Sequence, residues 1–556
     1  IEREATMTSS PYWKRLTGRR VSRRRVLAAG GAAGLGVAGV ALGACGGGGQ
    51  ESLSDIPTAL PVSTPKAGGK AKLGVPADPG SLDPHRNVAS TYISSLIHNP
   101  LHTVDMSTEE FIPLVAENLE QPDQLTYIWT LRKGVKFHDI DPTFGRELNA
   151  EDVVYSFDRL MAGPTLNDRK LLTLRTEGYE AVDSGTFQLR TKIPFSPTID
   201  QAGSVAYSIV PREAVDKWGG ELAMNASGCG AWILTDYVRS ERIKLRKNPD
   251  FYLSGRPYLD EEEWLVITDL GTLWQTFKTK NIDYAALNID KYKRQEIEGD
   301  KSFYLVEAPS LWTTDCRILV DQPPFSDARV REALDIAINR DDLIEKLFFG
   351  EGGYNGPIPW PLEYWALPQD ELKAALKYDP EKAKQLLSAA GYDSGLELRF
   401  PFPAMGDLPK MAQIIQEHYS NVGVAAKLQP KDLGTFLAQS LYGHEFDICI
   451  FTNQPFQEPD IILREYYSKG QNADVSPSLA NDPEADALIE SLWTVFDQEE
   501  RRTRVMEIQR ELLKKHGCFY PLVSPRGVNA YADRVRGVQA KSGLIGLMGI
   551  TYWAEY

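Results

Sequence analysis

The 556-residue chain carries 61 lysines and arginines against 76 aspartates and glutamates, a formal net charge of −15. So acidic a chain is excluded from non-specific nucleic-acid binding, which needs a basic surface to displace counterions. Its length exceeds what one hydrophobic core usually supports, so two lobes or more are expected.

Five arginines (Arg19, Arg20, Arg23, Arg24, Arg25) precede an uncharged run rich in Ala, Gly, Val and Leu that ends at Leu42-Gly43-Ala44-Cys45. A basic cluster, a short apolar stretch and small residues before a break have the plan of an export signal. The run is short and glycine-diluted, a poor span for a hydrocarbon core about 30 Å thick. Ser22-Arg23-Arg24-Arg25-Val26-Leu27 resembles a twin-arginine export signal, and Leu42–Cys45 resembles a lipobox, whose cysteine is lipidated and becomes the mature first residue. The expected start is Met7. Residues 1–44 hold 8 basic and 2 acidic side chains, so removing them leaves 53 against 74, a net charge of −21. No long apolar run follows, so the mature body should hang from acyl chains and not cross the membrane.

Residues 46–69, four glycines followed by Ser, Thr and Pro, read as a flexible tether. A strand is expected at 70–75 and a helix at 89–98. Residues 125–131 alternate in period two, as a half-buried strand does. Asn149 can cap a helix with Val153, Val154 and Phe157 on one face. Further on, strands at 396–400, 424–429 and 446–451 alternate with helices at 409–422 and 434–441, which implies a parallel or mixed sheet covered by helices. Asp379-Pro380 and Asp482-Pro483 each supply a helix cap with a first-turn proline, and Gly391 a stop. Val505, Ile508 and Leu512 form an ordinary core stripe.

Besides Cys45, the cysteines are Cys229, Cys316, Cys449 and Cys518. Their even number allows three pairings in an oxidising compartment, and spacing alone does not choose. No CxxC or close Cys/His cluster points to a metal, and the seven histidines are dispersed. Catalytic signatures such as GxSxG, HExxH, a P-loop or a dinucleotide fingerprint are missing, so neither an enzyme nor a cofactor is expected. Gly228-Cys229-Gly230 places a thiol between glycines, but no histidine stands near it in sequence.

Residues 113–119, 125–137 (LTYIWTLRKGVKF) and 149–157 (NAEDVVYSF) closely resemble the signature region of the family 5 bacterial extracellular solute-binding proteins, the peptide and nickel binders of ABC importers. The blocks 207–211, 228–232, 243–252, 324–334 and 378–383 follow that family's order and spacing. The resemblance implies an α/β, two-lobed periplasmic-binding-protein-like (Venus-flytrap) fold with an extra subdomain on the first lobe. Lobe one would comprise 69–105, 228–312 and 523–556, the inserted subdomain 106–227 and lobe two 313–522. Chain crossings near 312–314 and 521–523 would form the hinge.

With the export signal and the lipobox-like Leu42–Cys45, the resemblance implies an exported, membrane-anchored monomer. It captures a small molecule or peptide between its lobes and delivers it to an ABC permease. The ligand question turns on 449–460. In peptide-binding relatives a tryptophan-containing strand leads to an aspartate that pairs with the peptide's α-ammonium. Here Pro455 falls at the aspartate and Phe451 or Thr452 at the tryptophan. Proline cannot accept a salt bridge. Glu458 or Asp460 could substitute, or could simply serve the turn; opines, sugars and metal chelates therefore stay open as ligands. Candidate ligand contacts are Trp312, Asp315, Trp360, Phe451, Asn453 and Phe456. The resemblance also implies a disulfide between Cys316 and Cys449, with two buried free thiols as the alternative. A hydrolase would need polar groups arranged in the cleft for proton transfer, and an adhesion or scaffold lipoprotein would bind a macromolecule instead of a solute.

Overall fold

The structure, a computed structural model, describes residues 64–86, 91–104, 111–162, 170–307, 313–453, 458–467, 482–517, 519–538 and 553–554. The export segment with Cys45, most of the tether, Trp312, Phe456 and Cys518 lie outside the described residues.

The chain enters through β1 (Lys70–Val75) and α1 (Thr91–Ile97). It then builds a separate sheet from β2 (Ala116–Glu120), β3 (Thr126–Leu131), β4 (Thr176–Asp183) and β5 (Thr186–Thr191), with α2 (Ala150–Ala162) against it. That sheet runs β2–β3–β5–β4, antiparallel throughout. Tyr127, Trp129 and Leu131 are buried while Ile128 and Thr130 are half-buried, the alternation expected of β3. Asn149 caps α2 as its sequence suggests. Its Oδ1 accepts the Glu151 N–H at 2.9 Å, and Asp152 Oδ2 accepts the Asn149 N–H at 3.0 Å. This reciprocal pair satisfies two donors that a helix start otherwise leaves open.

The chain returns as β6 (Trp232–Val238), β7 (Arg242–Lys247), β8 (Glu261–Val266), β9 (Tyr284–Ala285), α3 (Lys291–Ile297) and β10 (Phe303–Glu307). A third stretch follows: β11 (Thr313–Ile318), α4 (Arg340–Phe348), β12 (Gly352–Tyr354), α5 (Pro380–Ala389), β13 (Leu396–Pro403), α6 (Leu408–Ser420), β14 (Val424–Lys431) and β15 (Ile448–Asn453). It closes with α7 (Pro459–Leu463), α8 (Pro483–Glu490), α9 (Gln498–Lys514), β16 (Phe519–Pro521) and β17 (Val523–Pro525), before β18 (Val528–Ala532).

Strands far apart in sequence meet in a seven-stranded mixed sheet, β10–β18–β9–β1–β8–β7–β6. β1 sits parallel to both β8 and β9, and β18 closes the sheet antiparallel to β9 and β10. The 313–525 stretch has its own strands: β11 lies between β15 and β16, β13 pairs in parallel with β14, and β12 pairs with β17. Arg399 and Asp447 bond across the gap between β13 and the entry to β15 (Asp447 N–H to Arg399 carbonyl, 3.2 Å), bringing these strands side by side. Helix reading at 434–441 holds with one change: the turns widen to a π-helix over Phe436–Leu441.

The apolar core of the four-stranded sheet is continuous with Trp365, Leu463, Trp493, Val505 and Leu512. The inserted stretch therefore packs on helices that come more than 250 residues later in the chain. Between the large sheet and the third stretch, Arg526 bonds both carboxylate oxygens of Glu307 at 2.8 and 3.0 Å. Lys291 reaches the Phe349 carbonyl at 3.3 Å and Arg294 pairs with Glu351.

Gly228 and Gly230 explain the glycine-flanked cysteine. A Cβ at Gly230 would stand 2.5 Å from the Leu96 carbonyl and 2.6 Å from that of Ile97, and one at Gly228 2.2 Å from the Ile97 carbonyl. The glycines let this bend before β6 press on the end of α1. Cys229 itself is buried, and burial pushes its thiol up to about 12, the reverse of an activated nucleophile.

Candidate functional site

β11 sets the site. Strand alternation puts Asp315 and Arg317 on one face, and antiparallel register adds Phe451 opposite Asp315, with Pro521 and Phe519 beyond on β16. The Arg317 guanidinium lies over the rings of Phe451 and Phe519, 5.6 and 4.9 Å from their centroids. Its Nε donates to Asp315 Oδ1 at 2.9 Å, and its Nη1 stands 3.5 Å from Glu465 Oε2. Glu465 also pairs with Arg464 at 3.3 Å. Only 3% of each of these two arginine side chains is exposed, against 13% of Asp315 and 19% of Glu465. The carboxylates thus form the outer layer and the guanidiniums the layer beneath.

In front of this layer lies a small, half-open cleft. Its wall takes Thr313–Asp315 from β11, Asn355, Gly356, Pro357 and Pro359 from the loop after β12, Ile462 from α7, Glu465 and Tyr466 from the turn after it, and Phe519 and Pro521 from β16. The rings of Tyr466 and Phe519 pack 5.1 Å apart. Asn355 is held from behind: its N–H donates to the Leu522 carbonyl at 3.0 Å and its Nδ2 to Ser524 Oγ at 3.0 Å.

Of the residues singled out from sequence, Asp315 lines the cleft. Phe451 stands behind it, stacked on Phe436 with ring centroids 5.7 Å apart. Asn453 is paired in register with Thr313 at the end of β15, its side chain outside the described set, as are Trp312 and Phe456. Trp360 is adjacent to the cleft loop but covers Gly353, where a Cβ would come within 2.8 Å of its indole, and its Nε1 donates to the Ser524 carbonyl at 3.3 Å. Sequence reasoning missed Arg317, Asn355, Glu465, Tyr466 and Phe519. Asp315-x-Arg317 inside an apolar strand was the available signal, because charges in such a run must find partners.

Glu458 and Asp460 are committed elsewhere. Glu458 Oε2 caps α7 by accepting the Ile461 N–H at 3.0 Å, while Glu458 Oε1 takes an Arg501 N–H at 2.5 Å and Asp460 Oδ2 takes another. Arg501 also donates to Ser196 Oγ at 2.6 Å, tying the inserted stretch to α9. Burial pushes Glu458 well above the usual carboxylate range, with Asp460 adding to it. Burial likewise pushes the nearby Asp200 up to about 6, opposed by Arg501 and reinforced by Asp460.

The implied Cys316–Cys449 disulfide is not present: both are buried free thiols. Register gives the reason. Cys316 faces Ile450 and Cys449 faces Arg317, so neighbouring pair positions send the two side chains to opposite faces of the sheet. Cys316 joins the core under β13 and β14, and Cys449 the cluster around Phe436.

Residues 110–474 match the family described as bacterial extracellular solute-binding proteins, family 5 Middle. The chain belongs to that family. Its members are non-catalytic transport proteins of ABC importers, and their work is done outside the cytoplasm. Among curated relatives, the glutathione-binding protein GsiB of Salmonella choleraesuis (strain SC-B67) is 25% identical over 483 residues, covering 82% of this chain and 89% of its own. Among solved structures, the periplasmic binding protein DppA from Helicobacter pylori in complex with peptide STSA superposes with a TM-score of 0.77 at 23% identity, covering 88% of this chain and 99% of that one. The binding protein AgaA in complex with agropinic acid, from A. tumefacien R10, gives 0.76 at 22% identity over 88% and 99%. The fold is accordingly the two-lobed α/β Venus-flytrap. No helix among the described residues is long and apolar enough to cross a membrane, and no group of His, Cys, Asp and Glu among them could hold a metal ion.

Proposed function

We propose that this solute-binding protein takes a small organic solute or peptide into the cleft fronted by Asp315, Asn355 and Glu465 and passes it, as a monomer, to its membrane permease. Lobe one is 69–105, 228–312 and 523–556, carrying the 106–227 subdomain, and lobe two is 313–522. Trp312, Asn453 and Phe456 are assigned, from the sequence resemblance, to ligand contact with Asp315. The observation that carries this reading is the composition of the cleft wall. Two carboxylates, threonine hydroxyls, an asparagine and two aromatic rings surround an open space, as recognition of a polar organic molecule requires. A test is thermal shift and calorimetry of the full chain with glutathione, the tetrapeptide Ser-Thr-Ser-Ala and agropinic acid. A bound solute raises the melting temperature with its concentration. Lack of any shift or heat with all three counts against the assignment.

A non-peptide solute is the second reading. Pro455 stands at the expected anchoring position, and Glu458 and Asp460 are both occupied by Arg501. Tethering is assigned to Cys45, lipidated after twin-arginine export. Intact-mass measurement of wild type beside Cys45→Ala checks it: acyl mass on wild type alone is expected, and unacylated wild type rejects the anchor.

A further inference from the structure

The inserted stretch meets the 313–522 stretch over a buried pair of carboxyl groups. Glu458 Oε1 and Asp460 Oδ2 both accept from one nitrogen, Arg501 Nη2. The other terminal nitrogen, Nη1, serves Ser196 Oγ at 2.6 Å and the Leu492 carbonyl at 3.3 Å. Glu458, Asp460 and Arg501 are all buried. Two carboxyl groups converging on one guanidinium nitrogen do not both ionise without cost, because like charges away from water repel. Asp460 Oδ1 adds a separate observation: it is buried and has no hydrogen-bond partner among the described residues. Ionised, that oxygen would carry charge with no donor to answer it, whereas one proton held between the two acids removes a charge.

The cover over this pair comes from the inserted stretch. The Ser196 N–H donates to the Trp493 carbonyl at 2.7 Å and its hydroxyl to the Leu492 carbonyl at 3.2 Å. The Phe195 ring meets Trp493 edge-on with centroids 5.8 Å apart, and the Arg175 guanidinium lies 3.9 Å over the same indole. The surrounding titratable groups do not supply the missing positive charge. From the inserted stretch come Asp200, Arg175 and Tyr127, whose hydroxyl donates to the Phe195 carbonyl at 2.9 Å. His102 bonds the Ile199 carbonyl at 2.8 Å. The facing side adds Glu490, bonded by the Tyr467 hydroxyl at 2.7 Å, Asp486, and Arg464 paired with Glu465. Carboxyl groups outnumber arginines throughout this set. Burial and the adjacent Asp460 hold Glu458 well above the usual carboxylate range, as a shared proton requires.

Resting on the lobe assignment above, we propose that closure of this protein takes up a proton. The Glu458–Asp460 pair shares that proton while Phe195 and Ser196 cover it, and gives it up to water when the inserted subdomain parts from lobe two. Hydrated in the open form, both acids return toward ordinary values of about 4, so the proton leaves at any higher pH. The covered pair keeps it to higher pH. This support for the closed form is therefore complete below the ordinary value and is lost as pH rises through the raised one. Acidity favours holding a solute and alkalinity favours releasing it, with no change in the cleft wall itself.

Small-angle X-ray scattering of the full chain without solute, from pH 5.5 to 8, tests the coupling through the radius of gyration. His98, His102 and His138 stay neutral in the fold over this range. The expected result is a radius that grows with pH, the closed-to-open ratio falling by up to about tenfold per pH unit. Asp460→Asn is expected to remove the slope, since it leaves Arg501 one carboxylate and no proton to share. Glu458→Gln is measured in parallel in case one variant folds poorly. Infrared difference spectra at pH 7 give a second readout, a carboxylic-acid carbonyl band shifted by deuterium, present in wild type and lost in both variants. A radius independent of pH, a slope that survives in both variants, or no acid band overturns the proposal. None of these outcomes bears on solute capture, which glutathione, Ser-Thr-Ser-Ala and agropinic acid test separately.

Discussion

Glu458 and Asp460, read from sequence as ligand contacts or turn residues, change meaning once their neighbour is known to be Arg501. Its guanidinium is shared by Glu458, Asp460 and Ser196, all deep in the interior. Removing one member of such a buried set leaves an uncompensated charge. Arg501→Met is expected to destabilise the protein by about 3–5 kcal/mol, read from urea unfolding, and adding Glu458→Gln and Asp460→Asn is expected to recover part of that loss. No recovery would mean the ion pairs do not account for the cost. The same scale decides the cysteines. Alkylation of denatured protein without reductant is expected to label both Cys316 and Cys449; a peptide linked through them would contradict their placement on opposite faces.

At the scale of elements, local rules held where a few neighbouring residues suffice. The α2 cap rests on Asn149 and Asp152, three residues apart, so sequence could name it. Asn149→Ala should cost about 1 kcal/mol, and a change within a few tenths would remove the cap from the account. The prolines after Asp379 and Asp482 mark real helix starts for the same reason, each aspartate accepting backbone N–H groups of the first turn. Gly230 is different, because what forbids a side chain there is the backbone of α1. Gly230→Ala should destabilise by about 2 kcal/mol or more, since carbonyl groups cannot swing aside as side chains do. A neutral result in thermal melting would show that α1 gives way.

Over the whole molecule, three buried histidines link stability to pH. Burial pulls His98 and His102 down to about 4 and His138 down to about 3, from an ordinary value of 6.5. The folded protein therefore keeps these rings neutral while the unfolded chain protonates them. Stability from this source is complete above about pH 6.5 and falls as pH drops toward 4 for the first two and 3 for the third. Each ring contributes a slope of about 1.4 kcal/mol per pH unit within that window. Urea unfolding at pH 7.5, 6, 5 and 4.5 should trace the fall, and His98→Leu should flatten it by one ring's share; equal stability across the range would reject neutral burial. Asp83 acts in the same direction at lower pH: burial would raise its carboxyl, but the two-pronged Arg159 pair holds it low.

By itself the sequence determined the family, the acidic character and most helices and strands of 380–514, because these depend on order, composition and short-range periodicity. It offered Asp315 only as one of several candidates suggested by the family resemblance; that this residue lines a cleft is read from the structure. Only the tertiary structure decided which charges meet: Arg317 with Glu465 across 148 positions of chain, and Arg501 with Ser196 across 305. Spacing along a chain carries no record of such pairs, since they form when strands and helices from distant stretches pack side by side. The same holds for Cys316 and Cys449, where the two strands do pair, but a register one residue out of step sends the thiols to opposite faces.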